Sequence, residues 1–245
     1  MEVHAHTHTA RKKWTHYLWE FLMLFLAVTA GFFVENQREH YVEHQREKTY
    51  VQSLIQDLKT DSANLEGYIS SKEIKKNRID SLMKLLTTGM YNQSGNETYF
   101  FARLLTRGQQ FVSTDGTMQQ LKNAGNLRLI TKRNVVDSIL AYDRNLKLLQ
   151  KQDENEEDSR NRFQDAAHNV FNASVFYKMI DSVNVITKPT GNPQTLTEDP
   201  NLINNIAIEV HYLGSGVYYS FIQSARLKTE AANLIELLKK EYHLE

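Results

Sequence analysis

The stretch Phe21-Leu-Met-Leu-Phe-Leu-Ala-Val-Thr-Ala-Gly-Phe-Phe-Val34 carries no charge. Tyr17, Leu18 and Trp19 extend it backwards, with Glu20 as the interruption. As a helix, residues 17–34 rise roughly 27 Å, close to the hydrocarbon thickness of a bilayer, about 30 Å. Trp14, Tyr17 and Trp19 gather at one end, where an aromatic belt belongs, and Glu20 lies near enough to that end to reach the interface. Residues 17–34 are therefore expected to be a transmembrane helix, with the lipid bilayer as their partner. A cleaved signal peptide, cut after Val28-Thr-Ala30, is the competing reading. The apolar run continues past that cut through Phe32, Phe33 and Val34, which argues against it.

Beyond the span the pattern is helical throughout. Residues 35–50 are strongly polar and hold neither Gly nor Pro, as a helical stalk would. Val51, Ile55, Leu58, Leu65 and Ile69, with Ser62 filling the gap, then step by four and three, the seam of a helix packing along its length. A weaker continuation runs through Ile79, Leu82, Met83, Leu85 and Leu86, and Gly67 marks an expected break near 67–72. A turn-rich loop at Gly89–Asn96 leads to a short helix around Tyr99–Leu105, ending near Gly108. Ser113–Gly116 opens another, Met118–Ala124, closed by Gly125. Thr131 is placed as the N-cap of a long helix bearing Val135, Val136, Ile139, Leu140, Leu146 and Leu149, running on toward Phe163 and Phe171. Asn184–Asp199 is irregular, and Asp199-Pro200 is a helix start. Two helices are expected to finish the chain, 200–213 and 217–242, separated by a turn at Gly214-Ser-Gly216. The stripe of the last is read as Val217, Phe221, Ala225, Ala232, Ile235, Leu238 and Tyr242.

The fold class is thus all-α: one N-terminal transmembrane helix followed by a long-helix, bundle-like extracytoplasmic domain. Its divisions are a tail (1–16), the span (17–34), the stalk (35–50) and the helical domain (51–245). Composition agrees. No proline falls between Arg11 and Lys188, and an interior proline would cost about 3 kcal/mol. Lys plus Arg equals Asp plus Glu at 29 each, so the basic surplus needed for nucleic acid is missing. The absence of cysteine excludes disulfides, thiolate metal sites and Cys nucleophiles. Arg11, Lys12 and Lys13 precede the span, while both signs mix beyond it. The positive-inside rule therefore keeps the N-terminus cytoplasmic and sends the body across.

Candidate chemistry is thin. His4, His6 and His8 alternate in the tail and could bind a metal, but no Cys or carboxylate completes a site. His40 and His44 share a helix face beside Glu43 and Glu47, yet the order is not H-E-x-x-H, and intrahelical ion pairs such as Glu43 with Arg46 explain the charges. Asp153-Glu-Asn-Glu-Glu-Asp158 lacks the alternating oxygens and turn glycine of a calcium loop and reads as a solvated helix face. Ser174, Ser215 and Ser220 lie in no nucleophile-elbow pattern. Tyr212, Tyr218 and Tyr219 could line a pocket, though aromatics at helical spacing are more often core or interface. Ala27 and Gly31 form a small-xxx-small pair, a weak dimerisation signal. No catalytic residue, cofactor site or metal site is assigned, and the chain is not expected to be an enzyme.

Three segments carry a resemblance: Arg11-Lys-Lys-Trp-Thr-His-Tyr-Leu-Trp-Glu-Phe21 running into the span, Glu35-Asn-Gln-Arg-Glu39, and Leu121-Lys-Asn-Ala-Gly-Asn-Leu-Arg-Leu-Ile130. In these and in layout the chain resembles a group of single-pass membrane proteins of Gram-negative bacteria with a helical domain of unknown function. The resemblance implies a bacterial inner-membrane location with a periplasmic domain, and it transfers no activity. The function expected is a membrane-anchored interaction or scaffold module that binds protein partners or itself. A ligand-sensing extracytoplasmic bundle is the alternative.

Overall fold

The computed structural model describes residues 14–244. The helices are α1 (Trp14–Thr87), α2 (Gly95–Leu105), α3 (Gly116–Asn123), α4 (Arg133–Ala167), α5 (Ala173–Lys178) and α6 (Pro200–Tyr242), with a 3₁₀ turn at Asn126–Leu129. An isolated antiparallel bridge pairs Ile180 with Ile186. The chain divides into two compact units, one ending at Thr49 and one beginning at Tyr50, and α1 contributes to both.

In the first unit every residue from 14 to 40 is exposed, including Phe21, Leu24, Phe32 and Val34. A helix apolar on all sides is normally covered, by protein or by lipid. This one is long and apolar enough to cross a membrane by length and composition. Trp14–His16, expected in the tail, are helical instead. Glu20 meets His16 one turn back at 3.0 Å. The rest of the tail, with His4, His6, His8 and the Arg11–Lys13 flank, lies outside the described residues.

The second unit is built on three long helices. On the 50–87 stretch of α1 the buried positions Val51, Leu54, Leu58, Asp61, Leu65, Tyr68, Lys72, Ile79, Leu82 and Leu86 fall on one alternation of three and four. α4 and α6 carry matching stripes, which is how helices pack along their lengths. Tyr142 reaches Asp61 and Lys72 reaches Asp153, so α4 runs parallel to α1. Asn145 pairs with Glu230 and Arg162 with Glu209, so α6 runs antiparallel to α4. Two parallel neighbours need a connection that returns the length of the bundle, and residues 88–132 supply it. One apolar core gathers Leu58, Leu121, Ile139 and Leu234; the other gathers Leu82, Leu105, Phe163 and Ile206.

The helix ends follow ordinary capping chemistry. The Asp199 side chain accepts from the Asn201 N–H, with Pro200 opening α6. Gly125 adopts φ +67 just past α3, as expected of a glycine there. The start of α4 differs from the sequence reading by one residue: Lys132, in extended conformation, takes the cap position expected of Thr131.

Two expected breaks are absent. α1 passes through 67–72 uninterrupted, because Gly67 sits on the open face while Leu65, Tyr68 and Lys72 keep the buried stripe in step. α6 is one helix where two were expected. Gly214 is not a turn residue; a Cβ there would come within 2.9 Å of the Ile79 side chain, so its lack of one lets α1 and α6 approach. Gly216 offers its carbonyl to the Gln152 amide at 3.4 Å. The buried stripe of α6 runs Val217, Ser220, Ser224, Leu227, Ala231, Leu234 and Leu238. Ala225 and Ala232, assigned to it from sequence, are exposed, because two of the buried positions are serines.

The irregular segment 184–199 is fastened to the α1–α2 turn. Asn192 Oδ1 accepts from the Gly95 N–H at 2.6 Å, and Asn92 Oδ1 accepts from the Thr195 N–H at 2.8 Å. Tyr99 Oη donates to the Gln194 carbonyl at 3.0 Å and accepts from the Asn172 N–H at 2.9 Å.

Candidate functional site

Between the two apolar cores lies a layer of buried charge. Lys72 and Lys75 come from α1, Asp153 and Glu156 from α4; Lys72, Asp153 and Glu156 are each under 5% exposed. Lys72 Nζ contacts Glu156 Oε2 at 2.6 Å and Asp153 Oδ1 at 3.2 Å, and Lys75 Nζ contacts Glu156 Oε1 at 2.8 Å. The Tyr68 hydroxyl donates to the same Asp153 oxygen. Its ring meets Phe111 edge to face at 5.7 Å, with the Lys72 ammonium 4.8 Å from the ring centre. Two cations and two anions leave the layer neutral, as a buried cluster must be.

Asp153 and Glu156 overturn the reading of 153–158 as a solvated face. Stepping by four and three from Leu149, they fall on the buried stripe of α4, while Glu154 and Asp158 are exposed. Their electrostatics reflect the pairing. Burial alone would raise the Glu156 carboxyl, but the Lys75 and Lys72 ammoniums outweigh it and hold it below the usual carboxylate range. Burial presses the Lys75 ammonium below its usual range, with Glu156 opposing and Lys72 adding repulsion. The Tyr68 phenol is pushed up, by burial first and then by the Asp153 carboxylate that accepts its hydrogen bond.

The layer binds a strap of its own chain. Residues 106–115, between α2 and α3, are not helical, so their backbone groups need partners from elsewhere. Lys75 donates to the Arg107 carbonyl at 3.2 Å and Lys72 to the Gln109 carbonyl at 3.4 Å. Asp153 Oδ2 accepts from the Phe111 N–H at 2.8 Å. Further along, Asp61 Oδ1 accepts from the Thr114 N–H at 2.6 Å, its second oxygen accepting from Tyr142, and Asp57 Oδ2 accepts from the Thr117 N–H at 3.1 Å. Every charge in the layer is thereby occupied by another charge or by the strap, so no general acid, base or nucleophile stands free there.

The other candidate residues are dispersed. His44 Nδ1 lies 3.3 Å from Glu47, and Arg38 pairs with Glu35 rather than Glu43 with Arg46. Among the described residues no three His, Asp or Glu side chains converge as a metal site requires. Ser174 shares the Asn172 cap, and Ser215 donates to the His211 carbonyl. Ser220 is fully buried beside Tyr68. Ala27 and Gly31 stand on the exposed apolar helix. Tyr212, Tyr218 and Tyr219 are about half exposed and belong to neither core. Tyr212 and Tyr219 line up with exposed Ile208, Ser215 and Ile222 at steps of four and three, on the face of α6 opposite its buried stripe. Tyr218 lines an open cavity of about 310 Å³ with Ile79 and Met83, and another, of about 330 Å³ at α2, the end of α4 and α5, sets Phe171 and Phe176 beside Arg103.

No known protein family, curated protein or solved structure matches the chain. What the structure defines is a class: an all-helical chain with one exposed apolar N-terminal helix and a bundle closed around a buried ion cluster.

Proposed function

We propose that the protein is a membrane-anchored helical interaction module. Residues 17–34 hold it in a bacterial inner membrane with the N-terminus cytoplasmic, and the bundle binds protein partners or a second copy on the periplasmic side. The observation that carries this reading is the apolar helix, exposed along residues 14–40 and, among the described residues, covered by none. The free energy of apolar exposure, about 25 cal/mol per Å², makes lipid the natural cover. The exposed Ile208, Tyr212, Tyr219 and Ile222 face offers the bundle a helix-docking surface, and its fully occupied charge layer argues against catalysis. The test is twofold. Intact protein made in bacteria is expected to stay in the membrane through alkaline carbonate and to begin at Met1. Release by carbonate, or a mature start near residue 31, points to a cleaved signal instead. Cross-linking in membranes is expected to trap a dimer or a defined partner through α6, and monomer alone at every cross-linker length would refute the interaction role. A ligand-sensing bundle is the second reading, favoured by the cavity at the α2–α4–α5 corner.

A further inference from the structure

The α2–α4–α5 cavity has a composition that selects a ligand. Phe171, Phe176 and Ala167 make its apolar floor, and Arg103, Gln164 and His168 stand on its walls. The floor is firm: Phe171 and Phe176 pack at 5.3 Å, and both lie edge-on to buried Tyr99, at 5.0 and 5.6 Å. At about 330 Å³ the cavity sits at the small end of the range for ligand pockets, about 300–1,000 Å³.

Arg103 is the polar determinant. Among the described residues its guanidinium makes one hydrogen bond, Nη1 to Thr106 Oγ1 at 2.6 Å, and meets no carboxylate. That leaves most of a five-donor fork without an anion. No acidic side chain lines the cavity. The neighbouring Arg107 is turned away, donating to the Asn184 carbonyl at 2.6 Å. Burial, then the like charge of Arg107, destabilises the Arg103 cation, the opposite of what an ion pair would do.

We propose that this cavity binds a small organic carboxylate with an apolar, ring-bearing body. The carboxylate meets the free edge of the Arg103 guanidinium in the paired geometry that a planar fork favours. The ring lies on Phe171 and Phe176. A phosphate is a poorer match, since one guanidinium faces the cavity and Arg107 is engaged elsewhere. A sugar is poorer still, since the floor offers no hydrogen-bond partners.

The test uses the full chain in lipid nanodiscs, with phenylacetate as the probe and 2-phenylethanol as its neutral counterpart, followed by ligand-observed NMR and titration calorimetry. Phenylacetate is expected to bind saturably, with a Kd of about 1 mM or tighter, and at least tenfold more tightly than the alcohol. Arg103→Gln is expected to weaken phenylacetate at least tenfold and leave the alcohol unchanged. Ala173→Trp, which fills the cavity from its α5 side and leaves the Arg103 side chain in place, is expected to abolish binding of both, so the reading survives even if Arg103→Gln unfolds the corner. Absence of saturable phenylacetate binding, equal affinity for the alcohol, or unchanged affinity in a folded Arg103→Gln protein would overturn the proposal. None of these outcomes bears on membrane anchoring or on α6 cross-linking.

Discussion

Replacing Lys72 with Met isolates what the ion layer does for the bundle. Met retains an unbranched apolar stem, so packing along Tyr68 is largely kept and the ammonium is lost. The change removes contacts to Glu156 at 2.6 Å, Asp153 at 3.2 Å and the Gln109 carbonyl at 3.4 Å. It leaves one cation, Lys75, facing two buried carboxylates. Removing one partner of a buried ion pair costs about 3–5 kcal/mol. Glu156 keeps Lys75, and Asp153 keeps Tyr68 and the Phe111 N–H, so the lower end, about 3 kcal/mol, applies here. That is a large part of a domain stability of about 5–15 kcal/mol. For a chain of this size it lowers Tm by roughly 6–12 °C. Denaturant midpoints of the full chain in nanodiscs give the cost, and hydrogen exchange read by mass spectrometry locates it. The amides of residues 107–111 are expected to exchange faster than those of α3. Lys72→Met/Glu156→Met restores charge balance and is expected to recover part of the loss, about 1–2 kcal/mol of coupling. A cost below about 1 kcal/mol, or strap amides exchanging at the parental rate, would refute the reasoning.

Other substitutions separate open positions from crowded ones. Gly67→Ala meets nothing within 4 Å and removes a helix-interior glycine, so denaturant unfolding is expected to show a gain of about 0.5–1 kcal/mol. Gly95→Ala would drive a Cβ into the Pro193 carbonyl oxygen, fixed backbone, and is expected to cost about 1–3 kcal/mol by the same measurement, with faster exchange across 184–199. Asp61 is raised by burial, against bonds from Thr114 and Tyr142, so the folded state holds its proton more tightly than the unfolded. Parental stability minus that of Asp61→Asn is therefore expected to grow as pH falls through the raised value toward the ordinary one, about 3.9; urea midpoints that diverge in the opposite direction would contradict the burial argument.

The helical class, the apolar N-terminal helix, the Asp199-Pro200 start and Gly125 were legible because each rests on local chemistry. Two of the misplaced features, the α1 break and the α6 stripe, share one cause. At Tyr68 and Lys72 on α1, Asp153 and Glu156 on α4, and Ser220 and Ser224 on α6, the packing stripe continues in polar residues. A reading that follows only apolar side chains loses the count there. It puts a break in α1 at 67–72 and lets the α6 stripe drift to Ala225 and Ala232; the turn expected at Gly214-Ser-Gly216 has a different origin, a glycine that the approach of Ile79 requires. Carrying the alternation of three and four through from Leu65 to Ile79, and from Leu149 to Phe163, would have placed opposite charges at matching depth on two helices. The cavity beside Arg103 left no comparable signal, because it joins α2, α4 and α5 across loops whose paths are tertiary.

The position of the polar layer follows from the topology. α1 and α4 are parallel, so the chain must return between them, and between α2 and α3 that return is non-helical. The Arg107 and Gln109 carbonyls and the Phe111, Thr114 and Thr117 amides all find their partners on α1 or α4 side chains. Each such group left dry without a partner would cost about 1–3 kcal/mol. A buried leucine contributes about the same in the favourable sense. Substituting an apolar residue at Lys72 or Asp153 would therefore gain little in burial while orphaning a strap group and stripping one partner from an opposite charge. The charges are retained as a set because the strap crosses there, and the apolar stripes resume on either side.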